Sequence, residues 1–240
     1  MIDWLRREAD DPRITLAGRN LPVAIRRHPR AKRMTLRLAP DGSEVRLTLP
    51  RWGRTAEGLE FAESRRDWLE AQLDKQPEVA PPVPGGTIRY RGGELVIEWS
   101  ESARRKPLLS GDSIRVGGPE GGIANRLQRW LEDQALPLME ADLADYCARA
   151  NLDPPRVRLS RAQRRWGSCS TGGTIRINWR LVMAPDEIRR SVVAHEVAHI
   201  IHFDHGPQFH ALLGELFEGD IEAANRWLKA HGRGLYASFG

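Results

Sequence analysis

Between residues 13 and 50 apolar and polar positions alternate in short runs. The segments 21–26, 34–38 and 45–49 read as strands, and Pro40-Asp41-Gly42-Ser43 reads as the hairpin turn joining the last two. From 55 to 74 the period changes: Leu59, Phe61, Ala62, Trp68, Leu69 and Leu73 recur at helical spacing. A Pro-rich connector covers 77–86, followed by short strands near 87–91, 94–99, 107–110 and 113–117 with Gly-rich turns. From 123 to 150 Leu127, Trp130, Leu131, Ala135, Leu138, Met139, Leu143 and Tyr146 form a helical pattern, in which Pro137 predicts a kink or break. Strands are expected at 156–160 and 173–178, a helix from Pro185 to about residue 204, and further helices near 208–218 and 219–231. No internal repeat is visible. The run Gly117-Gly118-Pro119-Glu120-Gly121-Gly122 is the expected boundary between a β-rich N-terminal region with one helix (1–120) and a second domain (121–240), in a chain of α+β class.

The chain has 240 residues, 40% apolar and 29% charged, enough for a substantial hydrophobic core. No apolar run approaches the roughly 20 residues of a membrane span, and the first residues lack the apolar core of a signal peptide. The two cysteines, Cys147 and Cys169, read as free thiols rather than a disulfide, which leads to the expectation of a cytoplasmic protein without membrane attachment. The net charge of +5 is gathered in local clusters: Arg26, Arg27, His28, Arg30, Lys32, Arg33 and Arg37; Arg104, Arg105 and Lys106; Arg161, Arg164 and Arg165. Such clusters are solvated faces more often than phosphate-binding patches.

Five of the seven histidines fall between 195 and 210. His195-Glu196-Val197-Ala198-His199 is an HExxH motif, preceded by a helical stretch with Asp186 and Glu187 at its start and Ile188, Val192, Val193, Val197, Ile200 and Ile201 at buried spacing. Residues four apart share a helical face, about 5–6 Å apart at Cβ, so the two imidazoles can share one metal. A catalytic zinc site takes three protein ligands and keeps one open position, where a bound water has a pKa of roughly 7. Glu196 stands where a general base for that water is needed. For the third ligand His202, His205 and His210 are candidates, with Glu215, Glu218 and Glu222 as a minor alternative. Asp204, Gly206 and Pro207 end the helix, which favours His205 because a ligand from beyond the helix approaches from a new direction. The spacing also equals that of the longer zincin motif, whose mid-loop Gly is absent here.

A second constellation, Arg165-Trp166-Gly167-Ser168-Cys169-Ser170, precedes a run from Gly172 to Arg180 that reads as a strand entered through a glycine turn, either buried or offering an edge to an extended peptide. Ser168 and Cys169 as nucleophiles are made unnecessary by a metal-activated water. The order RWGSC, TIRINWRLVMAP, VVAHEVAHIIHFDHGPQF resembles the YgjP-like metallopeptidase family, itself similar to the SprT-like and WLM zinc proteases. The resemblance covers roughly 21–231, including the basic region at 26–37 and Arg66-Asp67-Trp68-Leu69. It implies a zincin-like domain that binds Zn2+ through His195, His199 and His205, uses Glu196 as base and acts on protein or peptide substrates. Members usually carry Ser after the third His and an aromatic after the Phe; here these are Gly206 and His210, so His210 either lines the site or packs. Tyr146, Arg164, Arg165 and His210 are candidates for stabilising an oxyanion. Two other classes stand beside this expectation: a nucleic-acid-associated protease or binding module, and a structural zinc module without catalysis, against which the retained Glu196 argues.

Overall fold

The computed structural model describes residues 12–39, 42–74, 81–170 and 172–239. Pro40 and Asp41 of the expected turn, and residues 77–80 of the expected connector, lie outside them. The chain divides into two compact units, Met1–Glu78 and Val79–Gly240.

The first unit is a four-stranded sheet, β1 (Arg13–Leu16), β2 (Arg19–His28), β3 (Thr35–Leu38) and β4 (Val45–Pro50), in the order β1-β2-β4-β3. β1 and β3 run antiparallel to their neighbours, whereas β2 and β4 are parallel. Alternation places Val45, Leu47 and Leu49 of β4 inward, where they pack with Leu16, Val23, Ala62, Leu69 and Leu73. The helical stretch forms two helices, α1 (Thr55–Glu63) and α2 (Arg66–Leu73). The break falls at Ser64, whose hydroxyl donates to the Phe61 carbonyl at 2.8 Å and so competes with the helical ladder.

The second unit begins with another sheet, β5 (Thr87–Tyr90), β6 (Gly93–Ser100), β7 (Leu108–Ser110) and β8 (Ser113–Gly117), in the order β5-β6-β8-β7. Its pairing directions repeat those of the first sheet strand for strand. The turns match as well: Ala17-Gly18 and Arg91-Gly92, all at positive φ, link the first two strands of each sheet. A repeat invisible in the side-chain pattern is therefore present in the backbone.

The division of the chain does not fall at 120. Ile88, Ile97, Ile114 and Val116 belong to the same core as Ile123, Leu127 and Leu131, so the second sheet is part of the helical unit. The Gly run that suggests a linker is packed: a Cβ on Gly117 would lie 1.9 Å from the Ala103 carbonyl oxygen.

Helix α3 (Ile123–Arg149) continues without interruption through Pro137. Pro137 is exposed, so the carbonyl that loses its helical partner there faces water. Three further strands, β9 (Val157–Ser160), β10 (Gly167–Cys169) and β11 (Ile175–Asn178), form a sheet of order β10-β11-β9. β10 is too short to show alternation and is absent from the sequence expectation. β11 is central and paired on both sides, so the sheet's two edges belong to β10 and β9.

The chain ends with α4 (Asp186–Ile201), α5 (Pro207–Leu216) and α6 (Ile221–His231). α4 is fixed at its start by the β5–β6 turn, where Arg91 pairs with Asp186 and the Arg91 amide donates to the Val182 carbonyl at 2.8 Å. A buried pair, Arg189 Nε to Asp142 Oδ2 at 2.7 Å, fixes it against α3. No helix among the described residues is long and apolar enough to cross a membrane.

Candidate metal centre

α4 carries His195, Glu196 and His199 on its last two turns. It ends with His202 in an extended conformation, about two residues earlier than the stop signals predict. The chain then reverses, bringing His205 back before α5 begins at Pro207. The three Nε2 atoms form a triangle: His195 to His199 3.1 Å, His199 to His205 3.2 Å, and His195 to His205 3.3 Å. These are the three metal-capable donors that converge among the described residues.

Hydrogen bonding alone does not satisfy this triangle. Each imidazole nitrogen is either a donor or an acceptor, so three facing one another leave at least one like pair. His199 Nδ1 donates to the His202 carbonyl at 2.9 Å, which leaves its Nε2 as a lone pair aimed at the other two. Tetrahedral zinc–imidazole bonds of about 2.0–2.1 Å separate ligand nitrogens by roughly 3.3–3.4 Å, close to the spacing found, so the donor set fits a metal ion of that kind. Burial, and then the neighbouring rings of His199, His205 and His210, lower the His195 pKa to about 4, which keeps the ring in the neutral form that coordinates a cation.

Phe209 of α5 is fully buried, and its ring centroid lies 4.5 to 4.9 Å from those of His195, His199 and His205. It is the floor against which all three rings are held. Glu196 is 5% exposed, and its Oε2 has no hydrogen-bond partner. Burial raises its carboxyl to about 7, against the lowering influence of the Cys169 backbone and the Arg165 charge. Gly167 of β10 makes room for this carboxylate, since a Cβ there would lie 2.3 Å from Glu196 Oε1. Phe209 and Gly167 both fall inside the quoted motifs HFDHGPQF and RWGSC, but the sequence assigns neither a role of its own. The Phe four residues after His205, on the next helix, is a usable signal; the contact of Gly167 is between segments far apart in the chain and leaves none.

The other candidates sort by position. His202 contributes its backbone carbonyl and its ring is outside the triangle. His210 is exposed and, with Arg165, Gly167, His195, Glu196 and His205, lines a cavity of about 400 Å³. Arg164 is exposed and does not line that cavity. Tyr146 is excluded as an oxyanion donor: it is fully buried and donates to Glu218 Oε2 at 2.9 Å. Glu218 is not a ligand either, being engaged by Arg149 and Arg190, and Glu222 faces Arg226; Glu215 is exposed and outside the triangle. Burial, then the Glu196 charge, push the Cys169 thiol up, which disfavours the thiolate a nucleophile needs. Arg26, Arg27, Arg30 and Arg33 are exposed and belong to the first unit, whereas the triangle histidines belong to the second.

Three imidazoles facing one cavity beside a buried carboxylate define a candidate metal-dependent hydrolytic centre. The sequence profile of the YgjP-like metallopeptidase domain matches residues 32–231, and the chain belongs to that family. No curated protein matches it.

Proposed function

We propose that this protein is a zinc-dependent peptidase in which His195, His199 and His205 hold the ion and Glu196 is the general base. The observation that carries the reading is the ring-nitrogen triangle of 3.1 to 3.3 Å beside a buried carboxylate oxygen without a partner. Only three donors converge among the described residues, one fewer than a closed structural site uses. When bound, zinc supplies Lewis acidity toward the scissile carbonyl and lowers the pKa of water.

The chain's own residues supply the rest. Glu196 accepts a proton from the attacking water and delivers it to the amide nitrogen as the C–N bond breaks. Burial raises the affinity of the Glu196 carboxylate for that proton, the direction a general base needs. His195, His199 and His205 would hold an ion whose positive charge would offset part of that rise and favour the base form of Glu196. The outer edge of β10, which has no strand partner among the described residues, offers backbone groups to an extended peptide. The His199–His202 hydrogen bond fixes the tautomer of one ligand.

Two measurements test the reading together: zinc per chain by elemental analysis, and cleavage of a fluorogenic peptide library. Wild type is expected to hold one zinc per chain. Glu196→Gln is expected to keep the zinc and lose about 10²–10⁴-fold in kcat/KM, the range for a general acid–base group. Folded wild type that takes up no zinc, or Glu196→Gln that cleaves as fast as wild type, ends the proposal.

A further inference from the structure

The cavity at the triangle is not symmetric about it. His195, Glu196 and His205 line the cavity, whereas His199 does not. Its lining also takes in Trp166, Val192 of α4 one helical turn before Glu196, Leu213 of α5, and Ile221 and Leu228 of α6, the last three supplying an aliphatic far wall on helices other than α4. The spacing of the lining positions explains the shape. Val192 and Glu196 are four apart on α4, Phe209 and Leu213 four apart on α5, and Ile221 and Leu228 seven apart on α6, so each helix gives one continuous stripe. Ser191 also lines this space, but its hydroxyl donates to the Ile188 carbonyl at 2.8 Å and is already used. Arg165, His210 and Asn225 are exposed lining residues, so the charge lies toward solvent and the far wall is aliphatic. About 400 Å³ lies in the lower part of the range of ligand cavities, roughly 300–1,000 Å³. It exceeds what a methyl or hydroxymethyl group would fill. A charged side chain laid against Leu213, Ile221 and Leu228 would lose hydration there without a polar group from those three residues to replace it.

The proton delivered by Glu196 goes to the nitrogen of the residue that becomes the new N-terminus. That nitrogen lies within hydrogen-bond reach of the carboxylate when it is released, and the side chain of the same residue starts two bonds away. We infer that this cavity is a specificity pocket for a large apolar side chain, of the leucine or phenylalanine class, on the residue that supplies the leaving amine. The inference rests on the peptidase reading above and adds to it the substrate class.

The test uses the full-length zinc-loaded chain and two readouts. The first is kcat/KM for a peptide series that varies only the residue on the C-terminal side of the cleaved bond. Leu and Phe are expected to exceed Ala by at least about tenfold, the effect of missing methylenes in an apolar pocket, and Asp and Lys to fall below Ala. In Leu228→Trp and Ile221→Phe, two half-buried positions chosen to fill the far wall, the Leu-to-Ala ratio is expected to fall at least about tenfold, with folding checked by thermal melting. The second readout is binding of the product-like dipeptides Leu-Gly and Ala-Gly by calorimetry. Tighter binding of Leu-Gly, lost in the filled variants, supports the pocket even where no library peptide is cut. Cleavage without an apolar preference, a preference unchanged in both folded variants, or equal binding of the two dipeptides overturns the inference. Loss of activity in wild type with a retained Leu-Gly preference would instead count against the peptidase reading alone.

Discussion

His199 bonds in two directions, and the two bonds have different origins. Its Nδ1 meets the carbonyl of His202, three residues on, through the end of its own helix. Its Nε2 meets His195 one turn back on the same helix, and His205 across a reversal of the chain. Ligand identity therefore rests on ring position, and a substitution series separates the neighbouring histidines. His205→Ala is expected to lose zinc far more severely than His202→Ala, which keeps its backbone carbonyl, or His210→Ala, which lies outside the triangle. Comparable zinc affinities in the three variants, measured by competition with a chromophoric chelator, would sink the ligand assignment. Gly167 makes the companion case for the base. Gly167→Ala forces the Glu196 carboxylate aside, because the added methyl falls 2.3 Å from Oε1. Zinc content should stay at one per chain while kcat/KM drops on the order of a hundredfold, the cost of misplacing a reacting group by about 1 Å; unchanged turnover would show that Glu196 is not where it is needed. The motif histidines were legible because their spacing is local and the helix period converts it into a common face. Gly167 was not, because its constraint comes from a side chain on another element.

Elements were legible where they were long or strictly alternating. β5 to β8 fall close to the expected strands, since apolar positions alternate there between tight turns. The three-residue β10 carries no such alternation, and Pro137 suggested a break that an exposed helix face tolerates. A charged junction, equally illegible, holds the helices around the cavity. Arg190 of α4 reaches Asp145 of α3 at 2.6 Å and Glu218, between α5 and α6, at 2.6 Å, while Tyr146 and Arg149 of α3 each donate to Glu218 at 2.9 Å. Partial burial raises the Glu218 carboxyl, but the hydrogen bonds from Arg190 and Tyr146 outweigh it and hold the group at about 2. A folded-state pKa below the unfolded one contributes stability that is present above the unfolded value, near 4.5, and is lost as pH falls through about 2. Glu218→Gln should thus be less stable than wild type above about pH 5, with the gap in urea midpoint closing as pH drops toward about 3. A gap independent of pH would mean that the charge of Glu218 contributes nothing and only its shape matters.

At the scale of the molecule, each unit has its own apolar cluster, and the two share no residue. All three triangle histidines belong to the second unit. A metal that binds the folded form stabilises that unit by mass action, about 2.7 kcal/mol at a hundredfold excess over Kd, or roughly 5–10 °C in melting temperature. Calorimetry with and without a chelator is expected to show the transition of the 79–240 unit move by this order while that of the 1–78 unit stays in place. Equal shifts in both would show that the units do not unfold separately. The boundary itself was misread from sequence because glycines that allow close packing, as at Gly117, look the same on paper as glycines that allow flexibility.

The repeated strand topology carries a cost in folding. A chain with two sheets of one pairing plan holds two templates for each strand: β2 can meet β8 where it should meet β4, with parallel direction available in both. Loop closure decides the first encounter. The wrong partner lies about two doublings of chain length further away, which disfavours it by only about 1.2 kcal/mol, close to tenfold. Roughly one encounter in ten would then begin as a cross-module mispair. The inward positions are Val and Leu in β2 and β4 and Leu, Ile and Val in β6 and β8, so the shorter loop, rather than side-chain character, favours the correct pair.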